Sequence, residues 1–239
     1  MQISKRLKTV ASLVTEGYRV ADIGTDHAYV PIFLVTEGLT EWALAMDIGR
    51  GPLERASEHI KERGLQDKIE TRLSDGLSAY RQGEADSIVI AGLGGALMVR
   101  ILTDGADKCT GLKELILSPQ SEIFLVRRFL VQHGWSIERE IMLEEDGKYY
   151  TVMRAVPGES SPMKAAEEIY GRYLLEHRHP VLYEYLLKEK ETILRILASL
   201  QPERGEHIMI RKKELTDKLA LTEEALSYYE VQRYSDFSG

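Results

Sequence analysis

Twelve residues, Val20 to Pro31 (VADIGTDHAYVP), gather the groups best suited to chemistry in this 239-residue chain. A largely apolar run, Tyr18 to Ile23, leads into Gly24, and Asp26, His27 and Tyr29 follow closely. Gly24 lets a ligand come close to the backbone, and a helical pattern opening at Pro31 offers unpaired N–H groups beside it. A dinucleotide fingerprint needs G-x-G-x-x-G, so that pyrophosphate can rest on the helix end. Here the glycine is single and Thr25, Asp26 and His27 come next. A carboxylate at that place repels pyrophosphate and favours a ligand with a positive centre or an amine. S-adenosylmethionine (SAM) has both, a sulfonium and an α-amino group, so the turn leans toward SAM and away from NAD.

Further candidates recur at regular distances. Asp47 closes the run Trp42 to Ile48, 25 residues after Asp22. An acidic residue at the tip of a second strand accepts the two ribose hydroxyls of a nucleoside; a turn or helix-capping role is the alternative. Ile69 to Leu73 ends in Ser74-Asp75-Gly76, where an Asp75 oxygen would accept from an adenine amine, or the three residues simply turn the chain. Ala85 to Ala91 runs into Gly92-Leu93-Gly94-Gly95, a bare backbone wall for a substrate or a site of close helix–sheet packing. Leu115 to Leu117 ends in Ser118-Pro119-Gln120, a corner that aims polar groups at the same side.

These residues need a frame, and the pattern supplies one. Short apolar runs alternate with helical stripes in five βα-type units. Trp135 to Leu143 and Tyr149 to Ala155 read as an antiparallel pair joined through Glu144-Glu145-Asp146-Gly147, with Asp-Gly as the hairpin signal. The expected architecture is α/β, a Rossmann-like seven-stranded sheet whose last strand is antiparallel, the arrangement of SAM-dependent methyltransferases. In front of it, residues 2 to 16 form an amphipathic helix with Ile3, Leu7, Val10, Leu13 and Val14 on one face. Lys5, Arg6 and Lys8 lie opposite, as a solvated face or as phosphate contacts beside the site.

Composition shifts at Pro157 to Pro162, where Gly158, Ser160 and Ser161 mark a linker. The expected division is a catalytic domain, 1–157, and a helical domain, 158–239. In the second part Leu182, Tyr185, Leu186, Ile193, Ile196, Leu197 and Leu200 share one helical face. Gln201-Pro202-Glu203 and Gly205 break the helix, and Ile208, Leu215, Leu219, Leu226 and Tyr229 line another. Two long amphipathic helices around a short break form an antiparallel hairpin.

Formal net charge is −7, so no global basic footprint marks the chain for nucleic acid. From Glu159 onward 12 basic residues meet 15 acidic ones, a net of −3, with Arg211-Lys212-Lys213 as a local basic cluster. Cys109 is the single cysteine; it allows no intrachain disulfide and suits a reducing cytoplasm. Charged and apolar residues alternate over Met1 to Leu13, so no signal peptide is expected. No apolar run approaches the ~20 residues of a membrane span.

With these residues assembled, the chain resembles the bacterial tRNA (adenine-22-N1)-methyltransferase family. The resemblance rests on Ile23-Gly24-Thr25-Asp26-His27-Ala28-Tyr29-Val30-Pro31, Asp75-Gly76-Leu77, Ala91 to Gly95 and Gly147 to Tyr150. The family usually reads Leu-Ile-Leu-Gln-Pro-Asn where this chain has LILSPQ, Leu115 to Gln120. Members end in a two-helix coiled coil like Ala165 to Tyr229. The resemblance implies SAM as methyl donor and N1 of an adenosine in the tRNA D-arm region as acceptor, in a cytoplasmic enzyme. A monomer without metal is expected. Gly24, Asp26, Asp47, Asp75, Gly76 and Gly92 would then hold SAM. Asp26, His27 and Tyr29 would act at the acceptor: a carboxylate facing the cationic product, an orienting or proton-shuttling imidazole, and a stacking ring. Gly94, Gly95, Ser118, Pro119, Gln120, Lys148 and Tyr149 would face the RNA. A small-molecule or protein methyltransferase on the same fold is one alternative, and a non-catalytic nucleotide-binding or coiled-coil partner module is another.

Overall fold

The computed structural model describes residues 3–201 and 205–230. Gln2, Pro202 and Glu203, which enter the expected first helix and the helix break, lie outside them. The chain divides into two compact units, residues 1–162 and 163–239.

The first unit is a seven-stranded sheet. The strands are β1 (Val20–Ile23), β2 (Ala43–Asp47), β3 (Ile69–Leu73), β4 (Ser87–Ala91), β5 (Glu114–Ser118), β6 (Trp135–Glu145) and β7 (Lys148–Pro157). Their spatial order is β3-β2-β1-β4-β5-β7-β6. β1 to β5 are parallel, and β7 inserts antiparallel between β5 and β6. The chain steps outward from β1 to β3, then returns to β1's other edge for β4. That reversal opens a crevice beyond the carboxyl ends of β1 and β4, where open α/β sheets bind ligands.

Alternating side chains divide the sheet's burial between two faces. Ala21, Ile23, Leu44, Met46, Ile88, Ile90, Leu115 and Leu117 pack on one face. Val20, Ala43, Ala45, Val89 and Ile116 pack on the other. Helices α4 (Gly95–Asp104) and α5 (Ile123–Gln132) cover the first face through Met98, Ile101, Leu102, Val126, Phe129 and Leu130. Helices α1 (Lys5–Ser12), α2 (Tyr29–Thr36) and α3 (Arg50–Glu62) cover the second through Val10, Ile32, Leu34, Ala56 and Ile60.

Two expectations shift in detail. α2 opens at Tyr29, two residues ahead of Pro31, because Ala28 takes a left-handed N-cap (φ 54°); Pro31 then falls within the first turn, whose N–H groups lack helical partners. The β6–β7 connection is only Asp146-Gly147, both at positive φ (52° and 72°), so both strands run longer than their apolar runs suggest. This is the two-residue turn that matches strand twist.

Two buried or half-buried carboxylates pin α1. Glu145 at the end of β6 accepts from the Lys5 and Arg6 backbone N–H groups. Glu114, fully buried on β5, accepts from Thr15 N (2.9 Å), Thr15 Oγ1 (2.7 Å) and Arg154 Nε (2.8 Å).

The second unit holds four helices among its described residues, where the periodicity marked two. α6 (Ala165–Tyr170) and α7 (Arg172–Glu176) precede α8 (Pro180–Leu200) and α9 (Glu206–Ser227). The first pair spans too few turns to print a periodic stripe. Tyr170 binds α6 to the long pair by donating to Glu189 (2.6 Å) and lying 2.9 Å from Thr222 Oγ1. Lys218 Nζ pairs with Glu189 at 2.6 Å. Leu182, Leu186 and Ile193 of α8 and Ile208, Leu215 and Leu226 of α9 are buried. In the basic cluster Arg211 is paired with Glu214 at 3.0 Å.

Candidate active site

The tips of β1 and β4 are neighbours, and Gly24 of one faces Leu93 of the other. A Cβ on Gly24 (φ 74°) would lie 3.3 Å from the Leu93 side chain. Beneath Gly24, Asp22 is buried and accepts from Thr25 Oγ1 at 2.6 Å. Burial pushes the Asp22 carboxyl up from 3.8 to about 6; Thr25 opposes that shift and Asp47 adds to it. A cavity of about 190 Å³ opens above, lined by Arg6, Asp22, Gly24, Asp26, Tyr29 and Ala91 among others.

Asp22 makes this loop costly to fold. An acid that binds its proton more readily folded than unfolded loses stability as pH rises from about 4 through about 6, and the penalty persists at neutrality. Asp22→Asn still accepts from Thr25 and removes the charge. Its unfolding free energy is expected to rise by on the order of 2–3 kcal/mol at pH 7 and by less than about 1 kcal/mol at pH 4. Thermal unfolding at the two pH values checks this; equal stability at pH 7 would remove the assignment.

The segment after Thr25 is conformationally strained. His27 and Ala28 are both left-handed, at φ 62° and 54°, a feature that clusters at functional sites. Asp26 is exposed and sits 3.2 Å from His27 Nε2 and 3.4 Å from an Arg55 guanidinium nitrogen. His59 Nδ1 lies 3.3 Å from the His27 carbonyl oxygen. The rings of His27, Tyr29 and His59 lie within 26° of parallel, with centroids 5.2, 5.2 and 5.7 Å apart. Each pair is stacked with an offset, so the three rings form one aromatic cluster beside the loop. Arg55 and His59 of α3 are not among the candidates that the sequence marks out. Their i, i+4 spacing puts both on one helix face, and that spacing was the available signal.

Along the sheet, Asp47 Oδ1 accepts from Gly49 N at 2.7 Å, a turn bond that leaves its second oxygen for a ligand. Asp75 is exposed and Gly76 has φ 52°. Both line a cavity of about 410 Å³ with Leu77, Arg100, Ile101 and Lys108. A Cβ at Gly76 would lie 3.1 Å from Ile101. Asp47→Ala and Asp75→Ala are each expected to cost about 1–3 kcal/mol of SAM binding. Calorimetry finding unchanged affinity in both variants would reject this placement.

The glycine wall divides into two roles. Gly92 (φ 95°) faces the Arg6 and Gln120 side chains, 3.6 and 3.7 Å from the position of a Cβ. A Cβ on Gly95 would sit 2.6 Å from the Ser121 and Glu122 carbonyl oxygens, so this glycine lets α4 close on the segment before α5. Gly94 would meet Ser121 Oγ at 3.1 Å. For Gly94 and Gly95 the geometry thus supplies packing partners rather than an opening. Ser118 and Pro119 are buried, the Ser118 hydroxyl without a hydrogen bond to a described residue, and Gln120 is exposed. Lys148 (exposed) and Tyr149 (half-buried) begin β7 just past the hairpin turn.

Among the described residues no helix is long and apolar enough to cross a membrane. Residues 3–153 match the family described as a methyltransferase domain. A tRNA (adenine(22)-N(1))-methyltransferase of Bacillus subtilis (strain 168) is 35% identical over 234 residues, 95% of this chain and 98% of that protein. The crystal structure of the B. subtilis M1A22 tRNA methyltransferase TrmK superposes with a TM-score of 0.83 at 35% identity, covering 94% of this chain and 99% of that one. A Streptococcus pneumoniae protein, a putative tRNA (m1A22) methyltransferase solved in complex with S-adenosyl-L-methionine, superposes with a TM-score of 0.84 at 34% identity, covering 94% and 100%. The sheet order, the single-glycine acidic turn and this full-length similarity agree: the chain belongs to the tRNA (adenine(22)-N(1))-methyltransferase family.

Proposed function

We infer that this protein methylates N1 of adenine 22 in tRNA, with SAM as the methyl donor. The observation that carries this reading is the 35% identity to the B. subtilis enzyme across nearly the whole of both chains. The site fits SAM on its own terms. Its small cavity sets the Asp22 carboxylate beside Gly24, suited to a cationic ligand, and Asp47 keeps one oxygen for a ribose.

SAM supplies an electrophilic methyl on a sulfonium. Adenine N1 brings its own lone pair, so no residue has to create the nucleophile. The residues instead position it in line with the methyl–sulfur bond. Asp47 accepts the ribose hydroxyls and Asp75 the adenine amine, while Gly24 and Gly92 admit the ligand against bare backbone. The base must leave its stack to expose N1; Tyr29, clustered with His27 and His59, offers it a ring to stack on. Asp26 faces the positive charge that develops on the adenine, and His27 orients it. Gln120, Lys148 and Tyr149 meet the surrounding RNA. This set of groups lies within a single chain, so a monomer suffices and no metal is called on. Its substrate places the enzyme in the cytoplasm.

Labelled SAM incubated with unmodified bulk tRNA is expected to yield labelled 1-methyladenosine, lost when adenine 22 is replaced by guanine. Label in another nucleoside, in protein or in a small molecule would overturn the reading.

A further inference from the structure

The loop that carries Asp26, His27 and Tyr29 holds a shape it would not keep alone. His27 and Ala28 are consecutive left-handed residues, at φ 62° and 54°, and neither is glycine. In that region a Cβ crowds the following carbonyl oxygen, so the conformation persists only where its surroundings over-determine it. The backbone is fixed on either side. Thr25 N donates to the Met46 carbonyl at 2.9 Å, and Ile32 N donates to the Ala28 carbonyl at 2.9 Å. Between these two ties, the polar contact that reaches the strained backbone from another element comes from His59, in the last turn of α3.

His59 Nδ1 lies 3.3 Å from the His27 carbonyl oxygen, and its ring stacks on those of His27 and Tyr29. A carbonyl oxygen only accepts, so Nδ1 carries a proton, and this bond selects that form of the ring. Ala56 and Ile60, buried in the core beneath the sheet, anchor the same stretch of α3. The contact therefore ties the loop to a rigid element. Among the described residues, Asp26 and Tyr29 line the cavity of about 190 Å³ and His59 does not. Whatever His59 does for the reaction, it does through the loop.

We propose that His59 is a positioning residue for methyl transfer: its Nδ1–H holds the His27 carbonyl, and with it the strained backbone that aims Asp26 and Tyr29 at the acceptor base. The assignment rests on the reading of this loop as the acceptor side of a tRNA methyltransferase. It differs from plain packing, because a ring that only filled space would need no proton on Nδ1. Once untied, two left-handed residues relax toward ordinary backbone and carry their neighbours with them. A shift of about 1 Å at the reacting groups costs about 100-fold in rate. SAM is held chiefly at other strand tips, through Asp47 and Asp75, so its affinity does not depend on this tie.

Three variants separate the contacts. His59→Ala removes donor and ring together, and kcat on unmodified tRNA at saturating SAM is expected to fall about 10- to 100-fold, with SAM affinity near the wild-type value. His59→Asn keeps an N–H at the δ position, discards the ring and recovers most of that loss. His59→Phe keeps the ring without the donor and behaves like the alanine variant. Thermal unfolding of each protein shows that it is folded. Nitrogen NMR of the wild-type protein labelled at histidine gives a readout apart from activity, with the His59 proton expected on Nδ1. A phenylalanine variant with wild-type kcat, or an asparagine variant no better than alanine, would overturn the proposal in favour of packing. Lowered SAM affinity with kcat intact would overturn it in favour of a structural role for α3. A neutral His59 protonated at Nε2 alone would overturn the bond itself, whatever the activity. A wild-type protein with its Nδ1 proton in place that methylates no tRNA would instead overturn the reading beneath the proposal, and the role in methyl transfer with it.

Discussion

In the Asp26→Asn enzyme, single-turnover methylation of unmodified tRNA at saturating SAM falls about 100-fold or more, while SAM affinity stays close to wild type. Methylation leaves a positive charge on adenine, and a carboxylate facing that charge as it develops stabilises the transition state. Asp26 is the one carboxylate between Gly24 and Pro31. Asparagine keeps its shape and reach and removes only the charge. Loss of a transition-state electrostatic partner has that magnitude. The flanking Arg55 and His27 do not cancel Asp26, because the Asp26–Arg55 pair is open to water on both sides and such pairs are weak. If Asp26 grips the SAM ammonium instead, affinity drops first and the rate at saturating SAM recovers. Wild-type rate and affinity together would take Asp26 out of the mechanism and leave His27 and Tyr29.

Removing residues 163–239 is expected to abolish tRNA methylation and to leave SAM binding intact. Every residue of the two buried clusters that sandwich the sheet lies at or before Ala155. The first unit therefore carries its own core and every proposed SAM ligand. The second unit has a separate interior around Tyr170, Glu189 and Thr222, which the sheet does not use. We assign it the task of presenting tRNA. Calorimetry with SAM, a thermal unfolding curve and a tRNA assay on the 1–162 protein check this. Full tRNA activity in a folded truncation would reject the assignment.

Local chemistry determined much of this protein. Apolar runs bounded by turn residues placed each strand to within a few residues, and Asp146-Gly147 set the hairpin, because strand burial and turn backbone are properties of a few consecutive residues. Gly24 followed by Asp26, with Asp47 and Asp75 at the next tips, pointed to SAM and to the family. The tertiary structure decided which distant groups meet. Gly24 and Leu93 touch because β4 returns to the free edge of β1, an order that no local pattern encodes. Arg55 and His59 reach the loop of Asp26 and His27 because α3 packs on the face that α2 covers. Gly95 gives its space to the backbone before α5, which the glycine run alone left undecided. Arg6, one of three cations on the polar side of α1, enters the site while Lys8 stays exposed. Glu145, 139 residues further along the chain, turns that helix end toward the cavity, and a contact so remote is set by packing.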